Sequence, residues 1–154
     1  MSKSAVRRYL GPGEGLYRSM LLCAAGHCVS ELQRSTLRVS NAPVHRRLVV
    51  LAQACEGFSR SPAARVWFEC AVLARRAVAV QDILAAWREP LDTGFLALAR
   101  AAVPMADADR GHSLYALVAG WTLRPRAARS VSCAAFLGAL LAEAPRHSDI
   151  WEDT

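Results

Sequence analysis

The sequence predicts an all-α protein, a compact bundle of about six to eight helices around a central apolar helix. Three observations predict it. Alanine and leucine dominate a chain that is 53% apolar and only 7% aromatic, with too few β-branched residues for a sheet protein. Apolar residues recur at helical spacing in segment after segment; VHRRLVVLAQ, the nearest approach to a strand, fits a helix better. The stretch Ser113–Glu143 reads SLYALVAGWTL, then RPRAARS, then VSCAAFLGALLAE. That pattern is a helical hairpin with an arginine-rich junction, and its first arm is apolar on every face and so belongs at the centre.

The elements follow in order. Residues 1–15 form a short N-terminal arm broken by GPGEG, residues 16–144 the bundle, and residues 145–154 an acidic tail. The first helix is predicted over 16–33, burying Leu16, Met20, Ala24, Cys28 and Leu32, with a polar connection at 35–43. Asn41 caps the next helix, whose stripe is Val44, Leu48, Leu51, Ala52 and Cys55 and whose stop is Gly57. Ser61-Pro62 is the clearest helix start in the chain, opening a helix to about Ala79 that buries Val66, Cys70, Leu73 and Ala77.

Asp82 opens a short helix carrying Ile83, Leu84 and Trp87, which Pro90 ends. A further helix through Phe95, Leu98 and Ala99 runs from Asp92 or Thr93 to Pro104. The central apolar helix starts near Asp109 or Ser113 and ends before Pro125, and its partner occupies Ala127–Glu143. No internal repeat of the solenoid kind is present.

Charge is the next clue. The net charge is +6, yet Lys3 is the single lysine among nineteen basic residues, a skew that reflects a GC-rich genome better than selection for phosphate contacts. Residues 1–77 carry +8 and residues 78–154 carry −2. A basic half and a mildly acidic half favour self-association as a homodimer, or an acidic partner.

Chemistry is harder to find. Five cysteines, an odd number, sit mostly in apolar helical patterns, as buried thiols do in a reducing cytoplasm. Cys23 and His27 share a helix face at a metal-ligand spacing, but a closed site needs two further ligands, and packed cysteines beside a half-exposed histidine explain the pattern as well. His112 beside Asp107 and Asp109 is the best acid–base cluster, though acids at a helix start are expected from the dipole alone. No nucleophile elbow, zinc-protease motif or phosphate-binding glycine loop occurs. The expectation is a non-enzymatic protein with no catalytic residue, no cofactor and no metal. No apolar run approaches the ~20 residues of a membrane span.

A protein-interaction role fits best: an adaptor or inhibitor that binds another protein, for instance a partner helix, through a groove or face of amphipathic helices. Trp67 and Phe68 are neighbours on one helix, so one should face away from the core, and Trp87 precedes a proline at a short helix end. With Arg75 and Arg76, these are residue types enriched at interface hot spots. The alternative is nucleic-acid binding through scattered arginines, Arg46–Arg47, Arg75–Arg76 and Arg124–Arg126–Arg129, without interleaved stacking aromatics.

Over residues 16–143, the order of amphipathic helices around HSLYALVAGWTL and a second apolar helix resembles the Bcl-like bundles. These include poxvirus-encoded members that block apoptosis or inflammatory signalling. The resemblance implies a groove that receives a partner helix, and a virus-encoded regulator of apoptosis or innate immune signalling. The family's Asn-Trp-Gly-Arg signature is absent, Gly120-Trp121-Thr122 offering only tryptophan beside glycine. No functional residue is therefore carried over.

Overall fold

A computed structural model of the chain describes residues 14–73 and 80–124. Among these the protein is all-helical: α1 (Glu14–Ser40), a single 3-10 turn (Val44–Arg46), α2 (Arg47–Arg60), α3 (Pro62–Leu73), α4 (Gln81–Ala102) and α5 (Ala108–Leu123). Residues 1–13 of the N-terminal arm, the helix expected at Ala127–Glu143 that forms the second arm of the hairpin, and the acidic tail lie outside the described residues.

α1 is longer than its periodicity predicted. The 35–40 stretch stays helical with Val39 buried at its far end, and there the Thr36 hydroxyl is satisfied within the helix, donating to the Leu32 carbonyl 2.8 Å away. Its inward face also differs from the expectation. Tyr17, Leu21, Ala24, Ala25, Cys28 and Leu32 point inward, while Leu16 and Met20 are exposed. From Ala24 back toward the start the stripe steps by three residues to Leu21, then by four to Tyr17, and this path carries the bulkier side chains into the core.

Neither Gly57 nor Pro90 stops its helix. Gly57 lies inside α2, which ends at Ser61, where the residue before a proline turns extended. Pro90 sits mid-way along α4, which runs unbroken for 22 residues. Pro90 and Ala86, whose carbonyl loses its donor there, are both exposed, a site where solvent can take the donor's place. The Ser61-Pro62 start is as expected, and Arg65 N donates to the Ser61 carbonyl at 3.1 Å. The α5 cap is Asp107, whose carboxylate accepts from Arg110 N at 3.0 Å.

α1 packs against α2, α3 and α4, and α5 lies on α4, α3 and α2. Two contacts fix the direction of α1 and α4. Arg18 donates to both carboxylate oxygens of Asp82, at 3.1 and 2.6 Å, and Gly94 fits against Leu32. The two helices therefore run parallel. α5 folds back along α4, with Gly111 against Leu96 and Tyr115 against Phe95.

At mid-height the core is aromatic, with Phe58, Phe95, Tyr115 and Phe68 linked edge to face at centroid distances of 5.3–5.5 Å. α5 is one-sided among the described residues rather than apolar-buried all round: Gly111, Leu114, Val118 and Thr122 face in, while Ala116, Gly120 and Leu123 are exposed.

Candidate functional site

The corner between α1 and α2 is built from a basic, acid-free stretch. Residues 34–54 contain Arg34, Arg38, His45, Arg46 and Arg47 and no aspartate or glutamate. Arg47 is structural: its guanidinium donates to the Ala42 carbonyl (3.2 Å) and the Ser40 carbonyl (3.1 Å), satisfying acceptors where α1 ends. Arg34, Arg38, His45 and Arg46 are exposed. Arg38 reaches across to Gln53 Oε1 at 3.5 Å, tying the two helices together.

The same corner exposes large apolar side chains. Leu37 is 64% exposed, Val44 77%, Leu48 40% and Val49 53%. Val44 and Leu48 lie on the same helical stripe as the buried Leu51, Ala52 and Cys55. The stripe predicted from the sequence is buried from Leu51 onward, but its first two members, Val44 and Leu48, remain exposed. Water-exposed apolar area costs about 25 cal/mol per Å2 relative to burial, so several large apolar side chains left exposed at one corner are a candidate interaction surface.

The residues predicted to bind a partner fall elsewhere. Trp67 and Phe68 are both buried, each 2% exposed, so the expectation that one faces away is not met. The buried residues of α3 (Ala64, Trp67, Phe68 and Cys70) span about 160° at ~100° per residue, because α3 packs against α1, α2 and α5 together. Trp87 is half-buried and packs against the core. Arg75 and Arg76 lie outside the described residues, as do Arg126 and Arg129.

The polar candidates are reorganised too. His112 Nε2 faces Asp92 Oδ2 across α4 and α5 at 3.7 Å, rather than Asp107, which caps its helix. Asp92 also lies 3.6 Å from Arg88 Nε. Just inside, burial pushes the Tyr115 hydroxyl above its usual range. The Trp67 indole N–H is buried without a hydrogen-bond acceptor; it lies close enough to ease Tyr115 ionisation without reaching bonding geometry.

Cys23 and His27 do share an exposed face of α1, with Sγ 3.6 Å from Nδ1. Among the described residues, however, no three His, Cys, Asp or Glu side chains come together to hold a metal. Cys28 is buried, its thiol pushed up to about 12 by desolvation first and by Glu31 second. Tyr17 donates to Cys70 Sγ at 2.8 Å, and both groups are raised above their ordinary values, chiefly by burial.

No described helix is long and apolar enough to cross a membrane. Comparison with known proteins adds nothing to the geometry: no family model, no curated protein and no solved structure matches the chain.

Proposed function

We propose that the protein is a non-enzymatic interaction module, an adaptor or inhibitor that binds another protein through the α1–α2 corner. One observation carries the reading. The apolar stripe of α2 continues toward the chain start as exposed Val44 and Leu48, and Leu37 near the end of α1 and Val49 on α2 are exposed as well, all within an arginine-bearing stretch that has no acid. Apolar side chains supply affinity, and the surrounding positive charge selects a partner segment that is acidic as well as apolar. The cytoplasmic setting, the homodimer and the Bcl-like, virus-encoded version of the reading are finer proposals, supported by the helical bundle and the hydrophobic order of the sequence.

The test is a pair of variants. Leu37→Asp/Val44→Asp should abolish association with the physiological partner while the thermal unfolding curve stays unchanged, since both side chains are largely exposed. Ala85→Asp, at an exposed position of α4, should leave association intact. Equal effects of the two would remove the corner from the reading.

Nucleic-acid binding is the alternative, and salt separates the two. Titrating a generic DNA duplex and a generic RNA should give no micromolar binding at low salt. Tight binding that falls steeply with salt would favour the alternative.

A further inference from the structure

We propose that Cys23 and His27 are one half of a zinc site, which a second copy of the chain completes with the same pair. The inference names the seam and the joint for the homodimer put forward above, and it does not depend on the α1–α2 corner.

Geometry is the first argument. Cys23 and His27 stand one turn apart on an exposed face of α1, with Sγ 3.6 Å from Nδ1. A tetrahedral zinc ion with bonds of about 2.3 Å to sulfur and ~2.0 Å to nitrogen holds those two atoms about 3.6 Å apart. The pair therefore already spans one edge of a coordination tetrahedron. Nδ1 also lies 3.0 Å from the Cys23 carbonyl. In an α-helix that oxygen accepts from the His27 backbone N–H in any case, so a ring turned toward a metal leaves it satisfied. The thiol gives its proton to solvent as the sulfur–zinc bond forms, and the imidazole binds neutral, with its proton on Nε2.

Ligand count is the second. Zinc closed in by thiolate and imidazole takes four ligands. Among the described residues no third His, Cys, Asp or Glu joins this pair, and Cys28, the next residue after His27, is buried. Two ligands are therefore missing, and an identical pair across a twofold axis supplies them as a Cys2His2 set.

The surroundings leave room for that second copy. Leu16 and Met20 continue the stripe toward the start of α1 and Ser30 continues it toward the end, and all three are exposed. Two copies of α1 laid along the stripe bury Leu16 and Met20 beside the metal, which adds apolar contact to the coordination. Gly26 flanks the pair with nothing within 4 Å of where a Cβ would stand, so the approach on that side is open.

The test titrates the full chain, kept reduced, with Zn2+ while light scattering reads its mass. The mass should double, with the end point at one zinc per pair of chains. Co2+ in place of zinc should give the visible absorption of a tetrahedral ion and a thiolate charge-transfer band. Cys23→Ser and His27→Ala, both at exposed positions and so neutral to folding, should each weaken the zinc-driven association by about tenfold or more, the least that loss even of a supporting partner costs a metal site. His112→Ala, exposed on α5, should leave it unchanged. Zinc bound by a monomer, association that neither Cys23→Ser nor His27→Ala weakens, or no response to zinc would overturn the inference. A dimer that persists in chelator keeps the homodimer proposal and removes this one.

Discussion

Gly111 seats α5 directly on the backbone of α4. A Cβ at this position would lie 3.0 Å from Leu96 Cβ, 3.1 Å from Leu96 Cα and 3.3 Å from Leu96 N. Real Cβ atoms rarely come so near a neighbouring backbone, so the contact uses the absence of a side chain. It sets the α4–α5 spacing on which Tyr115, Phe95 and Phe68 close the aromatic layer.

Gly111→Ala should therefore destabilise the protein by about 1–3 kcal/mol, although alanine is the better helix former by ~1 kcal/mol. Gly57→Ala should act in the opposite sense and stabilise by about 0.5–1 kcal/mol, because nothing lies within 4 Å of the added methyl. Urea unfolding followed by circular dichroism measures both. A gain for both would mean that α5 is not held at Leu96.

Gly94→Ala should fall between these. Its nearest obstacle, at 2.9 Å, is Leu32 Cδ1, the end of a side chain that has rotamers to use, rather than backbone. Leu32 is fully buried, so the shift costs packing. A loss smaller than that of Gly111→Ala in the same titration is the expected order.

Thiol chemistry should separate the described cysteines sharply. Cys23 is exposed, whereas Cys28, Cys55 and Cys70 are buried. In native protein, mass-resolved labelling with iodoacetamide should modify Cys23 long before those three, and they should react only as the fold opens. Cys28 modified as fast as Cys23 would contradict its place in the core.

The raised Cys28 thiol predicts a loss of stability in alkali. Its folded value, about 12, lies above the unfolded value, so folding keeps the proton on. Stability from this group is complete below the unfolded pKa of roughly 8.5 and is lost as pH rises from there toward the folded value. Tyr17 and Tyr115, also raised, add to the loss above about pH 10. Unfolding titrations from neutral pH to pH 10 should show the decline, and Cys28→Ala should make it shallower below pH ~10, leaving the part due to Cys70, which burial also raises. An unchanged slope in Cys28→Ala would assign the decline elsewhere.

Asp82 predicts the opposite limb. Arg18 holds its carboxyl below the ordinary value, so the contribution is present above the unfolded pKa and lost as pH falls through the folded one. Arg18→Ala should therefore make acid unfolding start at a higher pH than in the parent, seen by circular dichroism across pH 2–5. Coincident acid curves would show that this exposed pair does not couple α1 to α4.

Much of the architecture was legible because its signals are local. Ser61-Pro62 starts a helix by fixing backbone angles and supplying a free carbonyl, and Phe95, Leu98 and Ala99 face inward at helical spacing. What could not be read depends on tertiary context. Pro90 stops a helix only where the orphaned carbonyl lacks water, and here it faces solvent. Trp67 and Phe68 are both buried because three helices surround α3, which spacing within one segment does not reveal.

The corner was hidden by its own pattern. Val44, Leu48 and Leu51 read as one buried stripe, and only the position at which α2 leaves the core separates the exposed pair from the buried residue. The sequence did carry one sign, five basic side chains and no acid within the 21 residues 34–54, though the longer stretch 110–142 is acid-free as well.

Site-specific photo-crosslinking in living cells tests the central claim most directly. Benzoylphenylalanine at Val44 should give one discrete adduct with a partner protein, lost when Leu37→Asp is added, and the same residue at Ala85 should give none. Identical adducts from positions 44 and 85, or an adduct at 44 that survives Leu37→Asp, would contradict the assignment of the α1–α2 corner as the binding surface.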